Sequence, residues 1–289
     1  MPPSLDALIH PRSRSELQAS LAAHEPFVVH GLGATVRALT ALPMLRSLDA
    51  LLSSWPHPVQ VHLPDLADEA SSITASPQDA RKLFANGMGL LFDDAHTLSA
   101  ELATWLEAIR RDLGLSALTQ GRCLVYATPA GKGTATHFDQ NVNFVLQLHG
   151  TKTWSLAANH HVEAPLTRHT LGQPVDPELA TYATLPMPAM PTDARSIVLE
   201  PGSLLCVPRG VWHSTHASTD ALSLNFTYHA PTWIDLLGAA LRGRLALSSA
   251  WRETASPAAP ERLAALLREL AEEVPHWSAA DILGVTDGE

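Results

Sequence analysis

Apolar positions along this chain follow two different periods, and the change of period divides it into three stretches. Up to about residue 120 and again after Pro231 the spacing is mostly helical; between them short runs alternate as strands do. Ser13-Arg14-Ser15-Glu16 forms a capping box that predicts a helix to about Ala23. Pro26 to Gly31 reads as a buried strand stopped by glycine, and Val59 to Leu63 alternates as a half-buried strand does. Ser76-Pro77 opens a second helix, with serine as cap and proline at the first helical position. Ser99 to Leu113 predicts a third, with Leu102, Trp105, Leu106 and Ile109 on one face and Gly114 ending it.

From Arg122 the turns come quickly. Cys123 to Tyr126 is a core strand, Pro129 to Gly133 a loop, and Thr134 to Lys152 a pair of strands about His149-Gly150. Gly150 can take the positive backbone angle of a tight hairpin, which would return Lys152 beside the first strand. Residues 157–195 are loop-rich, with His160-His161, His169 and a proline-laden run from Thr184 to Pro191; we read this as a candidate substrate-facing loop. Strands resume at Ser196–Leu199, turn at Glu200–Ser203, run back over Leu204–Val207, and turn again at Pro208–Gly210 to deliver Val211-Trp212-His213. Ala221 to His229 is the last alternating strand. Helical spacing then returns over Trp233–Ser248, Pro260–Glu273 and Ala279–Leu283, with Leu263, Leu266, Leu267 and Leu270 in one stripe. The expected organisation is residues 1–120 as helices and strands packing on a core, 121–231 as a mainly β core, and 232–289 as a helical tail serving a homodimer.

Composition narrows the function classes. A chain of 289 residues with 46% hydrophobic and 17% charged residues has globular proportions. No apolar run is long enough to span a membrane, and the start, Met-Pro-Pro-Ser-Leu-Asp, lacks the basic and apolar regions of a signal peptide. Cys123 and Cys206 sit in apolar runs and read as buried, reduced thiols, which points to a cytoplasmic protein. A formal charge of −10 argues against a nucleic-acid partner.

The candidate chemistry lies at His137-Phe138-Asp139. Alternation in a strand puts the imidazole and the carboxylate on one face, able to grip one metal ion. A lone pair of this kind is more often a surface feature, so a third ligand is required. His213, 74 residues beyond Asp139, supplies it if two such strands meet inside a double-layered antiparallel barrel. Two histidines and one carboxylate with positions left open suit non-haem Fe(II), although zinc hydrolases use the same donors. A keto acid filling two open positions would want a cation for its far carboxylate, and Lys152 can provide one. Gly131-Lys132-Gly133-Thr134 lacks phosphate-loop spacing and leads into a strand, so that reading fails.

Thr134-Ala-Thr-His137-Phe-Asp139-Gln-Asn-Val-Asn143-Phe, Gly150-Thr-Lys152, Pro201-Gly202, Pro208, Trp212-His213 and Leu-Asn225-Phe-Thr-Tyr228 together resemble the JmjC/cupin-like 2-oxoglutarate oxygenases. Within them the nearest likeness is to the subgroup typified by the factor-inhibiting-HIF asparaginyl hydroxylase, over about residues 120–232. That resemblance implies a double-stranded β-helix (a jelly-roll or cupin core) holding Fe(II) through His137, Asp139 and His213. It assigns Thr134 and Lys152 to the distal carboxylate of 2-oxoglutarate, Asn143 and Asn225 to its chelating end, and Tyr126 to a cosubstrate-contacting tyrosine. Trp212, beside the last ligand, also fits the pattern. Thr227 stands where that subgroup has an aromatic, and the chain has too few residues for the winged-helix domain of the ribosomal oxygenases. The resemblance implies a hydroxylase consuming O2 and 2-oxoglutarate, with succinate and CO2 as coproducts. Its substrate would be a peptide or protein side chain or an amino-acid-like small molecule. A cupin metalloenzyme without keto acid, such as an isomerase or dioxygenase, and a non-catalytic cupin binding module are the alternatives; neither needs a keto-acid cradle.

Overall fold

The computed structural model describes residues 4–63, 72–187 and 189–283. Met1-Pro2-Pro3, Pro188 of the proline-laden run and the last six residues of the expected tail lie outside them. In chain order the elements are α1 (Leu5–Ile9), α2 (Arg14–Ala22), β1 (Phe27–Val29), α3 (Gly33–Thr40), α4 (Leu48–Ser54), β2 (Val59–His62), β3 (Ser72–Ala75), α5 (Pro77–Ala85), β4 (Gly89–Phe92) and α6 (Ala100–Asp112). There follow β5 (Gln120–Thr128), β6 (Gly133–Phe138), β7 (Val142–His149), β8 (Lys152–Ala157), β9 (His169–Thr170), α7 (Pro177–Ala180), β10 (Arg195–Leu199), β11 (Leu204–Val207), β12 (Trp212–Ala217) and β13 (Ala221–His229). The chain ends in α8 (Trp233–Leu245), α9 (Pro260–Glu273) and α10 (Ala279–Leu283). Local chemistry sets the helix starts. Ser13 and Glu16 make the reciprocal capping box, and Ser76 and Ser99 accept first-turn amides of α5 and α6.

Among the described residues, thirteen strands form two antiparallel sheets. The major sheet has eight in the order β1-β11-β7-β13-β5-β4-β2-β3, and the minor sheet five in the order β10-β8-β12-β6-β9. The architecture is mainly β, with helices flanking the sandwich, as the sequence predicts. The N-terminal strands do more than pack on the core. β1 caps one edge through β11, and β2, β3 and β4 extend the other edge beyond β5.

The hairpin predicted at His149-Gly150 is absent. Gly150 has the expected positive φ of 67°, but β7 pairs with β11 and β13 while β8 pairs with β10 and β12. The turn therefore carries the chain from the major to the minor sheet, and Lys152 faces the first strand's neighbours across the sandwich. Glu200–Ser203 does the same between β10 and β11. Both runs are apolar enough to be buried on a sandwich interior, and burial across two sheets satisfies them as well as a hairpin would.

One end of the interior is apolar, built from Val145, Trp154, Leu156, Ile197, Leu199, Leu205, Val207 and Val211. A second cluster lies on the minor sheet's outer face, where Phe138, Ala157 and Trp212 pack with Val162, Leu179 and Met187 of the irregular 158–194 segment. That segment is long because it must cover a sheet face. The chain divides into two compact units, Met1–Leu113 with Gly121–His229, and Gly114–Gln120 with Ala230–Glu289. In the second unit α8 buries no residue, and Trp233, Ile234 and Leu237 are 76%, 68% and 49% exposed.

Candidate metal centre

Three strand ends bring the His-x-Asp pair and the distant histidine together. In an antiparallel ladder directly opposed residues share a face, and His213 on β12 is opposed to His137 on β6 and to Leu156 on β8. Asp139 follows one residue past the end of β6. Ligand atoms of His137, Asp139 and His213 all lie within 4.8 Å of one another. The imidazole centroids are 4.1 Å apart, and His213 Nε2 is 3.6 Å from Asp139 Oδ2.

Backbone carbonyls fix both imidazoles. Nδ1 of His137 donates to Ala135 O at 2.7 Å, and Nδ1 of His213 donates to Val211 O at 2.9 Å. Each ring then turns Nε2 toward the centre, the nitrogen left to ligate a metal. Burial, then the neighbouring His137, pushes the His213 pKa down to about 3, so it stays neutral at ordinary pH. Burial alone would raise the Asp139 pKa. The neighbouring His137, His213 and Arg168 and the amide of Asn143 outweigh that and hold it below the usual carboxylate range. Asn143 Nδ2 donates to Asp139 Oδ2 at 3.0 Å.

A cavity of about 290 Å³ opens between the sheets at this point. Its walls include Thr134, His137, Asp139, Asn143, Lys152, His213, Asn225 and Tyr126, so every predicted site residue reaches one space. Lys152 is buried on β8, on the same face as Trp154 and Leu156 and hence as His213. Thr134 arrives there through a β-bulge. His213 opposes His137 and Thr215 opposes Thr134, so one extra residue on β6 turns both His137 and Thr134 inward despite their odd spacing. Thr134 and Thr215 hydroxyls are 2.9 Å apart. From the major sheet come Asn143 opposite Thr227, and Asn225 opposite Val145.

Trp212 does not join this space. Alternation sends its ring to the outer face, 4.7 Å from Phe138, and the aromatic in the wall is instead Trp154, stacked on His213 at 5.6 Å. Arg168, which sequence reasoning missed, enters from the irregular segment with Nε 3.6 Å from Asp139 Oδ1. Of the expected substrate-facing loop, His160 and His161 line a separate, larger groove of about 760 Å³ that contains none of the three ligands.

The wall is built for a polar guest. Asn225 Oδ1, Thr227 Oγ1 and Trp154 Nε1 are buried without a hydrogen-bond partner. Such atoms are costly in a finished core and ordinary in a binding site. Two histidines and a carboxylate suit Fe(II), and the buried ammonium of Lys152 with the Thr134 hydroxyl suits a carboxylate.

A JmjC domain model matches residues 103–236. The uncharacterised protein YxbC of Bacillus subtilis is 33% identical over 259 residues, 87% of this chain and 78% of YxbC. Human ribosomal oxygenase 1 is 31% identical over 183 residues, 62% of this chain but only 26% of that protein. Among solved structures, Escherichia coli YcfD in complex with cobalt and 2-oxoglutarate has a TM-score of 0.52 at 16% identity, over 87% of this chain and 64% of YcfD.

Proposed function

We propose that this chain, which belongs to the JmjC-domain family of 2-oxoglutarate-dependent oxygenases, hydroxylates a side chain of a peptide or protein, or a related amino-acid-like metabolite. Enzymes of this class work with Fe(II), 2-oxoglutarate and dioxygen. In this reading His137, Asp139 and His213 hold the iron. Lys152 and Thr134 take the distal carboxylate of 2-oxoglutarate, Asn143 and Asn225 flank its chelating end, and Tyr126 lines the remaining wall. The observation that carries it is the buried Lys152 in the same cavity as the triad, since an enclosed ammonium beside a metal site suits the far carboxylate of a keto acid.

When bound, iron and 2-oxoglutarate supply the oxidising chemistry, with succinate and CO2 as coproducts. This chain's residues supply the rest. The Ala135 and Val211 carbonyls hold two imidazoles in the ligating tautomer. Asn143 fixes the carboxylate, and Trp154 stacks against His213 and excludes water behind it. The similarity to human ribosomal oxygenase 1 supports a protein side chain as the favoured substrate here.

Succinate formed from 2-oxoglutarate under air, with Fe(II) present, tests the reading. Wild type is expected to form it, while His137→Ala and Asp139→Ala are expected to form none and to keep a wild-type far-ultraviolet circular dichroism spectrum. A variant with wild-type turnover would remove that residue from the site.

Two further proposals concern the molecule's setting. Residues 232–289 form a dimerisation element, supported by the exposed apolar residues of α8. The protein works in a reducing, cytoplasmic compartment, supported by the free, buried Cys123 and Cys206. No helix among the described residues is long and apolar enough to cross a membrane.

A further inference from the structure

Arg168 stands one residue before β9, at the end of a segment tied down along its length. Asn159 accepts from the backbone of His161 and Val162 and donates to Gly210 O at 3.0 Å. Arg209 donates to the carbonyls of Pro165 and Ala164, and the Tyr182 hydroxyl accepts from Leu166 N. Beyond Arg168, Thr170 is opposed to His137 in the β6–β9 ladder. The backbone that presents Arg168 is therefore fixed on both sides.

What it faces is one oxygen of a candidate ligand. Arg168 Nε is 3.6 Å from Asp139 Oδ1, while Asp139 Oδ2 is 3.6 Å from His213 Nε2 and accepts from Asn143. The two oxygens thus have different neighbours: Oδ2 looks into the triad and Oδ1 looks at a cation. A carboxylate can give a metal one oxygen or chelate with both, and chelation requires both to turn toward the ion.

We propose that Arg168 is a positioning residue that holds Oδ1 of Asp139 away from the metal, so that the carboxylate gives one oxygen and a position stays open for the keto acid. This rests on the assignment of His137, Asp139 and His213 as the metal ligands. It also gives the irregular segment a purpose beyond covering the minor sheet, because it delivers the cation. Asn143 cannot do this work alone, since it bonds the oxygen that faces the histidines.

Cobalt(II) in place of iron makes the coordination visible, because its d–d bands weaken as coordination number rises. Arg168→Met removes the cation and keeps the bulk at a site that is 24% exposed, and Arg168→Lys keeps a charge. We expect Arg168→Met to bind Co(II) with weaker d–d bands than wild type and to need about tenfold more 2-oxoglutarate to change them, in the range of outer-shell effects on metal sites. Arg168→Lys should keep the wild-type bands. Wild-type bands and 2-oxoglutarate titration in both variants would overturn the proposal, as would lost Co(II) affinity in Arg168→Met with bands unchanged. Should wild type bind Co(II) but ignore 2-oxoglutarate, the keto-acid reading fails, and the bands of Arg168→Met still decide the role of Arg168.

Discussion

His137, Asp139 and His213 were legible from residue type and alternation, because a strand's period of two is enough to put a pair on one face. Arg168 was not, since it comes from an aperiodic segment where spacing carries no direction. Thr134 was assigned by resemblance alone; the bulge that turns it inward leaves no mark on the local pattern. Trp212 shows the same rule working in reverse. Standing next to a ligand in a strand, it must face away, and it packs on Phe138. The neutrality of His213 has a measurable consequence. Its folded value of about 3 lies below the ordinary 6.5, so below 6.5 the unfolded chain takes up a proton that the folded one refuses. The contribution is full above 6.5 and is lost as pH falls toward 3, at up to about 1.4 kcal/mol per pH unit. Urea unfolding of metal-free protein across that window should show this slope, and His213→Gln should flatten it. An equal slope in the variant would place the titration elsewhere.

At the scale of elements, the strands and helices were readable and their partners were not. Val142–His149 and Lys152–Ala157 are separated by a two-residue turn with glycine in the left-handed region, which is a hairpin's signature, yet they belong to opposite sheets. Local sequence specifies a reversal of direction, whereas which sheet receives the strand depends on the whole sandwich. The strongest steric constraint is where β6 passes β12. A Cβ on Gly133 would overlap the carbonyl of Thr215, beside the Thr134–Thr215 contact. Gly133→Ala should therefore cost about 1–3 kcal/mol by overpacking and weaken 2-oxoglutarate binding, read by thermal unfolding and titration. A variant as stable as wild type would mean that β6 shifts freely. On the inner face of β13, buried Ser223, Asn225 and Thr227 line the cavity, and the orphaned atoms of Asn225 and Thr227 mark where packing yields to binding.

At the scale of the molecule, the mainly β architecture with flanking helices was accessible from the change of period, and the extended major sheet was not. β2, β3 and β4 are short runs far from β5 in sequence, and only hydrogen bonding onto its edge unites them. The helical tail was read closely: α9 and α10 begin and end where the spacing predicts, and α8 stops at Leu245, short of the expected Ser248. Its exposed Trp233, Ile234 and Leu237 are expected to be covered in a homodimer. Light scattering should give twice the monomer mass, falling on substitution of Trp233 and Ile234 by Ser, whereas a stable wild-type monomer at high micromolar concentration would contradict this. In the proposed reading one cavity holds iron through three ligands and a keto acid through Lys152. Losing a buried charge partner costs roughly 2–5 kcal/mol, so Lys152→Ala should weaken 2-oxoglutarate binding well over tenfold while leaving iron bound. The direct measurement is anaerobic titration of the Fe(II) protein with 2-oxoglutarate, following the visible charge-transfer band of the chelate. A saturable band is expected in wild type, and none at the same concentrations in Lys152→Ala with iron retained. No band in wild type, or an equal affinity in Lys152→Ala, would contradict it.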